Sequence, residues 1–440
     1  NTPIKRITSY LSMIARKKTS SGREFPMSSS FPAPAPPLTP PYEDLRLLEE
    51  VYTKTARRAF ILISLDAVKH NIRILKSLAG SKTELMAVVK GSAYGSGIMP
   101  VVAAALEAGA TELAVATVGE GVHLRTNSVT VPITVLGNLN SEELPDVLSH
   151  RLHPTVSGSS CIDAAHVSKL KYPDGTPLEL NVEVDTGMSR YGVSLKDLEC
   201  VMAALLQQGV RVRSLYSHYQ ASISTPDLNK QQLQLFLQAT KLYPDIPRHI
   251  AATTGCVQGL GADMDYIRPG GAITGLCSGS SIEDVEAFAK CGFQPAFSVV
   301  ARPSYFKLLP AGRHVGYDAT YTTQQDEWIA NFSTGWSDGL PRKLTNIGYV
   351  KRLKTGQLCP IVGRVSMDSI TVRLPEAPDA SESFVIITSD YHPLTSAVGI
   401  SRQLGAAVYE IPGNWSTRLP RVAVEDGRVK QVLGSLEYTN

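Results

Sequence analysis

The spacing of apolar residues changes twice along this chain, giving three textures. From Tyr42 to Thr55, Leu45, Leu48 and Tyr52 recur at helical spacing and predict a short amphipathic helix. AFILISLD (59–66) alternates as a strand does, and Asp66 stands where a helix cap belongs, ahead of AVKHNIRILKSLAG. Short apolar runs then take turns with helical patterns. The runs fall at 85–90, 113–117, 133–137, 153–157, 178–185, 212–218, 249–253 and 266–268, and helical patterns include 97–108, 194–208 and 226–242. Eight short strands, each followed by a helix or a helix-like turn, predict an α/β fold with a (β/α)8 barrel over residues 66–297, preceded by the helix and strand of 42–65. A doubly wound open sheet is the competing arrangement. Past residue 297 the texture changes again. FSVVARPSYFKLL, WIANFSTGW, TNIGYVKRL, QLCPIVGRVSMDSITVRL and SFVIITSD are strand-like runs split by turns, so residues 298–440 read as a second, mostly β domain.

On a barrel, the C-terminal strand ends converge on one mouth. The first run, LMAVVKGSAYGSG (85–97), leads straight into Lys90 and a glycine-punctuated loop with Tyr94. A lysine in an apolar mouth loses hydration of its charge, so its pKa falls and its amine becomes a nucleophile fit for Schiff-base chemistry. A structural lysine snorkelling to water has the same local sequence. The other ends supply Arg190 after DTGM, His218, Thr253, Thr254 and Arg268. Taken singly, Arg190 reads as a surface ion pair, His218 as a satisfied core histidine and Arg268 as a strand terminus; their joint place at strand ends points to chemistry. IRPGG (267–271) offers backbone N–H groups to an anion, because glycines let the backbone approach closely. A lysine plus a phosphate cradle implies a phosphorylated aldehyde cofactor, pyridoxal 5'-phosphate being the obvious one. No carboxylate pair suits glycoside hydrolysis, and no His/Cys/Asp cluster has metal-ligand spacing.

Composition narrows the class. The chain has 440 residues, 43% hydrophobic and 19% charged, with a formal net charge of +3. That suits a globular protein of two or more domains and argues against a dedicated nucleic-acid binder. No apolar run approaches a membrane span. The scattered cysteines (Cys161, Cys200, Cys256, Cys277, Cys291 and Cys359) form no CxxC pair and point to a reducing compartment. Residues 1–30 are basic and Ser-rich with one acid, Glu24, and 31–41 read FPAPAPPLTPP. Residues 1–41 are therefore expected to be a disordered leader or a transit peptide, on a cytoplasmic or organellar, non-secreted protein.

Over roughly residues 58–425 the chain resembles the alanine racemases, the barrel-type (fold type III) pyridoxal-phosphate enzymes. AVVKGSAYGSG, NVEVDTGMSRYGV, YSHYQAS, HIAATTG, YIRPGG, VGYDATYTTQQDEWIANFSTGWSDGLPR and PIVGRVSMDS match family segments in family order. The resemblance implies interconversion of L- and D-alanine through a pyridoxal phosphate aldimine and two bases, in a homodimer whose active sites are shared. Lys90 would bind the cofactor and act as one base. Tyr317 would be the opposite base, reaching in from the other subunit. Arg268 would face the pyridine nitrogen, and His218 would link the tyrosine to that arginine. Arg190 and Met367 would contact substrate. Tyr94, Thr253, Gly270, Gly271 and Tyr409 would hold the phosphate, together with Trp336 in place of a family tyrosine.

The chain departs from the pattern at several positions. Glu183 stands where the family usually has a lysine, often carbamylated; Ala252-Thr253 replaces Asn-Ser; and Ser96 replaces a histidine. Glu183 and Asp185 share a strand face, so Glu183 is expected to present a carboxylate of its own, with a water or a shifted Arg190 filling the gap left by its shorter side chain. A serine or broader-specificity racemase is the nearest alternative. A barrel-type decarboxylase or a non-catalytic cofactor carrier fits less well, since the former lacks the GYDATY and SMD segments in this arrangement and the latter lacks a second domain.

Overall fold

A computed structural model describes residues 38–158, 164–279 and 281–434. The expected leader lies outside the described residues except for positions 38–41, as does Cys161. The first helix is Leu45–Thr55. Asp44 caps it by accepting from the backbone N–H of Arg46 (2.9 Å) and Leu47 (3.2 Å). The helix ends at Ala56, which is left-handed. Its buried stripe is Leu47, Leu48, Val51 and Tyr52, whereas Leu45, expected on that face, is 65% exposed. The apolar stripe is thus out of step with the sequence reading at the helix start.

The strand Ala59–Ser64 is buried at every position. It pairs antiparallel with Phe297–Ala301 and parallel with Arg421–Glu425, so it lies inside the sheet of the C-terminal half. Both its faces are buried, so the segment is a continuous apolar run and not the alternating strand read from the sequence. The following helix, Leu65–Leu78, is capped by Ser64, whose Oγ accepts from Ala67 N at 3.1 Å. Asp66, expected as the cap, sits in the first turn and accepts from Asp426 N at 3.0 Å.

All eight predicted barrel strands form. Their order is Tyr266–Ile267, Glu84–Val88, Glu112–Val115, Ile133–Asn138, His153–Val156, Glu179–Asp185, Arg211–Tyr216 and Arg248–His249, and every pair is parallel. The last strand pairs with the first and the order never reverses, which excludes a doubly wound sheet with its switch point. Across the remaining seam, Arg268 N donates to Ala251 O at 2.7 Å. One core cluster fills the space between barrel strands and covering helices, with Leu180, Val182, Met202, Leu215 and Phe236 each at most 2% exposed.

The C-terminal half is mostly β. A seven-stranded sheet runs in the order Leu358–Pro360, Tyr349–Arg352, Phe384–Ile387, Phe297–Ala301, Ala59–Ser64, Arg421–Glu425, Arg428–Leu433. A three-stranded sheet is built from Pro303–Leu309, Glu327–Phe332 and Ile370–Leu374. No helix among the described residues is long and apolar enough to cross a membrane.

Candidate active site

The strand Glu84–Val88 stops two residues before Lys90, which opens a turn instead of closing the strand. Gly91, Ser92, Ala93 and Tyr94 all have φ between 52° and 60°, and Gly95 follows at 86°. This is a complete left-handed turn, closed by Ala93 N donating to Val89 O (2.8 Å) and Gly95 N to Gly91 O (2.9 Å). Left-handed backbone costs an L-residue about 1–2 kcal/mol, so its three non-glycine positions store roughly 3–6 kcal/mol. Two anchors hold it. Glu120 Oε1 accepts from Gly91 N at 2.7 Å, while its Oε2 accepts from Ala116 N at 2.8 Å. At the far end, Arg421 Nε donates to Gly95 O at 2.8 Å. Sequence reasoning missed Glu120, although Thr117-x-x-Glu120 is a capping box and the helix it starts uses it as one.

Burial lowers the pKa of Lys90, and so do Arg190 and, less strongly, Arg268, with Glu120 opposing. The amine is therefore poised toward its nucleophilic form. Beside it lies the cradle. A Cβ on Gly270 would stand 2.8 Å from Tyr94 Cζ, and one on Gly271 would stand 2.5 Å from Tyr409 Cε1. Only glycine lets these two phenols close on the backbone. The rings pack at 5.3 Å, and burial pushes both phenols above their ordinary pKa, so they remain donors. Thr253 Oγ1 accepts from Ala272 N at 3.3 Å, and Thr254 Oγ1 bonds Ser278 Oγ at 2.9 Å. Thr253 thereby joins the Gly270–Gly271 loop to the start of the helix Thr253–Gln258.

Arg268 is 3% exposed. Its Nε donates to His249 Nδ1 at 2.6 Å, an Nη donates to Ser217 O, and its guanidinium lies 4.7 Å from the Tyr216 ring centre. Burial holds the His249 pKa well below its ordinary value. A neutral ring that accepts at Nδ1 carries its proton on Nε2, which faces Ser214 Oγ at 2.9 Å; Ser214 in turn donates to Asn181 Oδ1 at 2.7 Å. His249 lies within the HIAATTG segment, yet nothing in that run of residues shows it facing Arg268. His218 is the histidine that sequence reasoning selects. Burial, then Arg268, Arg190 and Lys90, depress its pKa to about 3, so it is neutral.

Glu183 is 6% exposed and accepts from Ser157 Oγ at 3.2 Å. Burial raises its pKa, against the pull of Arg268, Ser157 and Arg190. Arg190 itself is exposed, 5.7 Å from the Tyr191 ring centre. Asp185 Oδ1 shapes the turn before it by accepting from Gly187 N (2.9 Å) and Ser189 N (3.0 Å).

The remaining candidates lie on the C-terminal domain. Tyr317, Met367 and Trp336 are 69%, 49% and 42% exposed. Tyr317 begins a tight turn whose next residue, Asp318, is left-handed and salt-bridged to Arg364 at 2.6 Å. Among the described residues, no hydrogen bond, ion pair or ring contact joins Tyr317, Met367 or Trp336 to Lys90, Tyr94, Arg190 or Arg268. One chain thus gathers the lysine, the arginines and the cradle, and leaves the second-base candidate facing outward. No group of three potential metal ligands occurs among the described residues.

A parallel barrel with a lysine and a glycine–phenol cradle at its mouth, followed by a β domain, defines the barrel-type class of pyridoxal-phosphate enzymes. The chain belongs to the alanine racemase family. The family profile for the alanine racemase N-terminal domain matches residues 63–278, and that for the C-terminal domain matches 296–423. The chain is 32% identical to alanine racemase of Geobacillus kaustophilus (strain HTA426) over 381 residues, 86% of this chain and 97% of that protein. It is also 32% identical to alanine racemase 2 of Bacillus subtilis (strain 168) over 397 residues, covering 88% and 99%. Among solved structures, alanine racemase from Bacillus anthracis with bound L-Ala-P superposes with a TM-score of 0.77 at 29% identity, covering 86% of this chain and 98% of that one. Alanine racemase from Bartonella henselae with covalently bound pyridoxal phosphate gives 0.73 at 25% identity, covering 83% and 99%.

Proposed function

We propose that the protein interconverts L- and D-alanine with pyridoxal 5'-phosphate, as a homodimer whose two sites each draw on both chains. The observation that carries this reading is the pairing of a lysine of depressed pKa with a cradle that only glycine can line. The cradle fits a phosphate monoester. Two phenols kept protonated by burial supply neutral donors, the Gly270–Gly271 backbone supplies N–H groups, and Thr253 supplies a hydroxyl. When bound, pyridoxal phosphate supplies a carbonyl for the lysine amine and an electron-withdrawing ring that spreads negative charge from the substrate carbon.

The chain's own residues do the rest. Racemisation needs a proton removed on one face of the substrate carbon and another delivered on the opposite face, so two acid–base groups must flank it. Lys90 Nζ serves one face. The partner's copy of Tyr317 serves the other, which accounts for the exposure of Tyr317 on a single chain. A phenol ordinarily titrates near 10, so it needs stabilised negative charge to act as a base. With His218 neutral, Arg190 and Arg268 would supply the positive charge that stabilises it. Arg268 would hold the cofactor's ring nitrogen as a fixed cation that does not release its proton, and the His249–Ser214–Asn181 chain fixes its plane. This restrains charge withdrawal by the ring and disfavours transamination. Arg190 holds the substrate carboxylate, with Glu183 as its buried counter-charge. Met367 approaches the substrate from the partner.

The test is incubation of the purified protein with L-alanine and, separately, L-serine in D2O. Racemisation puts deuterium on Cα with loss of optical activity. Release of CO2 assigns the decarboxylase reading, and neither outcome assigns the carrier reading.

A further inference from the structure

Two loops of the C-terminal domain carry Trp336 and Met367, and one side chain clamps both. Arg418 donates from Nη1 to Ser337 Oγ and pairs with Asp368 Oδ1 at 2.8 Å, while its Nε lies 3.4 Å from Asp338 Oδ1. The loops interlock beneath it. Trp336 N donates to Ser366 O (3.0 Å), Ser337 N to Met367 O (3.0 Å) and Ser337 Oγ to Met367 O (2.8 Å). Asp338 closes its own loop by accepting from Gly335 N at 2.8 Å. Gly335 must be glycine, because a Cβ there would strike the backbone of Ser366 and Met367. Asp338 is the buried member, with its side chain 4% exposed, and Ser416 N donates to its carbonyl at 2.8 Å.

The segment bearing Arg418 also reaches the other way. Arg421 donates to Trp415 O (2.6 Å), Ser416 O (3.2 Å) and Gly95 O (2.8 Å), the last belonging to the Lys90 turn. Residues 415–421 therefore touch the chain's own cofactor loop through one arginine and the two outward loops through another. A planar guanidinium with five donors can hold three acceptors at fixed angles, which a lysine cannot.

We propose that Arg418 is a positioning residue for alanine in the partner's active site, acting through Ser337, Asp338 and Asp368 on the loops that present Trp336 and Met367. The inference rests on the shared-site reading given above. Arg418 touches neither substrate nor cofactor; it sets where the substrate-facing Met367 stands, on a loop locked to that of Trp336. Losing it loosens those loops by a fraction of an ångström to about an ångström, enough to cost roughly tenfold in a positioned reaction.

The experiment uses holoenzyme. Arg418→Ala is expected to raise KM for alanine roughly tenfold. Arg418→Lys keeps the charge without the fork; it gives a rise in the same direction and serves should the alanine variant fail to fold. The decisive readout is a hybrid dimer of a Lys90→Ala chain and an Arg418→Ala chain, separated by differential tags. Its one competent site takes Lys90 from the Arg418→Ala chain and its outer loops from the Lys90→Ala chain, whose Arg418 is intact. KM should return to the parental value. A hybrid that keeps the raised KM, or an Arg418→Ala homodimer with parental KM, overturns the inference. A Lys90→Ala with Tyr317→Phe hybrid is the control, since it rebuilds one whole site. Failure of that hybrid to regain activity overturns the shared-site reading, and this inference with it. When the control regains activity, the KM of the first hybrid reports on Arg418 alone.

Discussion

Gly270→Ala tests the cradle with a single methyl group. The new Cβ would lie 2.8 Å from Tyr94 Cζ and 3.1 Å from its Cε2. Carbon atoms rest at about 3.5–4.0 Å, so the ring must retreat by roughly 1 Å. Tyr94 has little room to do so. Its backbone is left-handed at φ 55° and its ring packs against Tyr409 at 5.3 Å. The phenol O–H is therefore withdrawn from the phosphate position. A hydrogen bond to a charged group contributes about 1.5–3 kcal/mol, so the dissociation constant for pyridoxal phosphate should rise about 10- to 150-fold. Equilibrium dialysis of the apoenzyme against the cofactor measures it. In a Tyr94→Phe background the same substitution should weaken binding much less, because the hydroxyl it displaces is already gone. A dissociation constant unchanged within about twofold in the single variant, or full additivity in the pair, would refute the assignment of Tyr94 to the phosphate.

Lys90→Ala should lose the covalently held cofactor, read as loss of its protein-bound visible absorbance, and nearly all turnover. Tyr317→Phe should keep the cofactor yet lose most racemisation, more in one direction of proton abstraction than in the other; full activity would remove the second base. Because Glu183 presents a buried carboxylate of its own, adding bicarbonate to the purified enzyme should leave its rate unchanged, and a rate that responds would show that this carboxylate does not suffice. His153, buried beside Tyr172 at the start of its strand, has its pKa pushed by burial to about 3. It binds its proton more readily in the unfolded chain, so its contribution to stability is complete above about pH 6.5 and falls as pH drops toward 3, by at most about 1.4 kcal/mol per pH unit for this one group. His153→Gln should flatten the acid limb of a urea-unfolding series across that window, and an unaltered limb would reject the account.

Much of the barrel is legible in the sequence because its strands are buried on one path of sequential neighbours, so each appears as a short apolar run between helical patterns. Lys90, Tyr94 and Arg268 are legible for the same reason, being polar groups at the ends of such runs. Other features depend on partners far away in sequence. Nothing local in Ala59–Ser64 says that Phe297–Ala301 and Arg421–Glu425 flank it. Asp66 reads as the helix cap because aspartate is a good cap, but the strand ends at Ser64, and that hydroxyl reaches the free N–H first. His249 stays hidden because its value lies in one nitrogen aimed at Arg268, across a barrel seam that spacing does not reveal. Tyr317 and Met367 emerge only from family resemblance, since among the described residues no hydrogen bond, ion pair or ring contact of a single chain joins them to Lys90, Tyr94, Arg190 or Arg268.

The Lys90 turn winds against the handedness of its own amino acids. A segment that coils the wrong way springs back when released, so its two tethers, Glu120 and Arg421, act as clamps on a wound spring. Replacing Ala93 by glycine would lift the steric cost of the coil at that position, but at the loss of a buried methyl and with more freedom left to the unfolded chain. The strain of the fold is thus wound into the loop that carries the lysine amine.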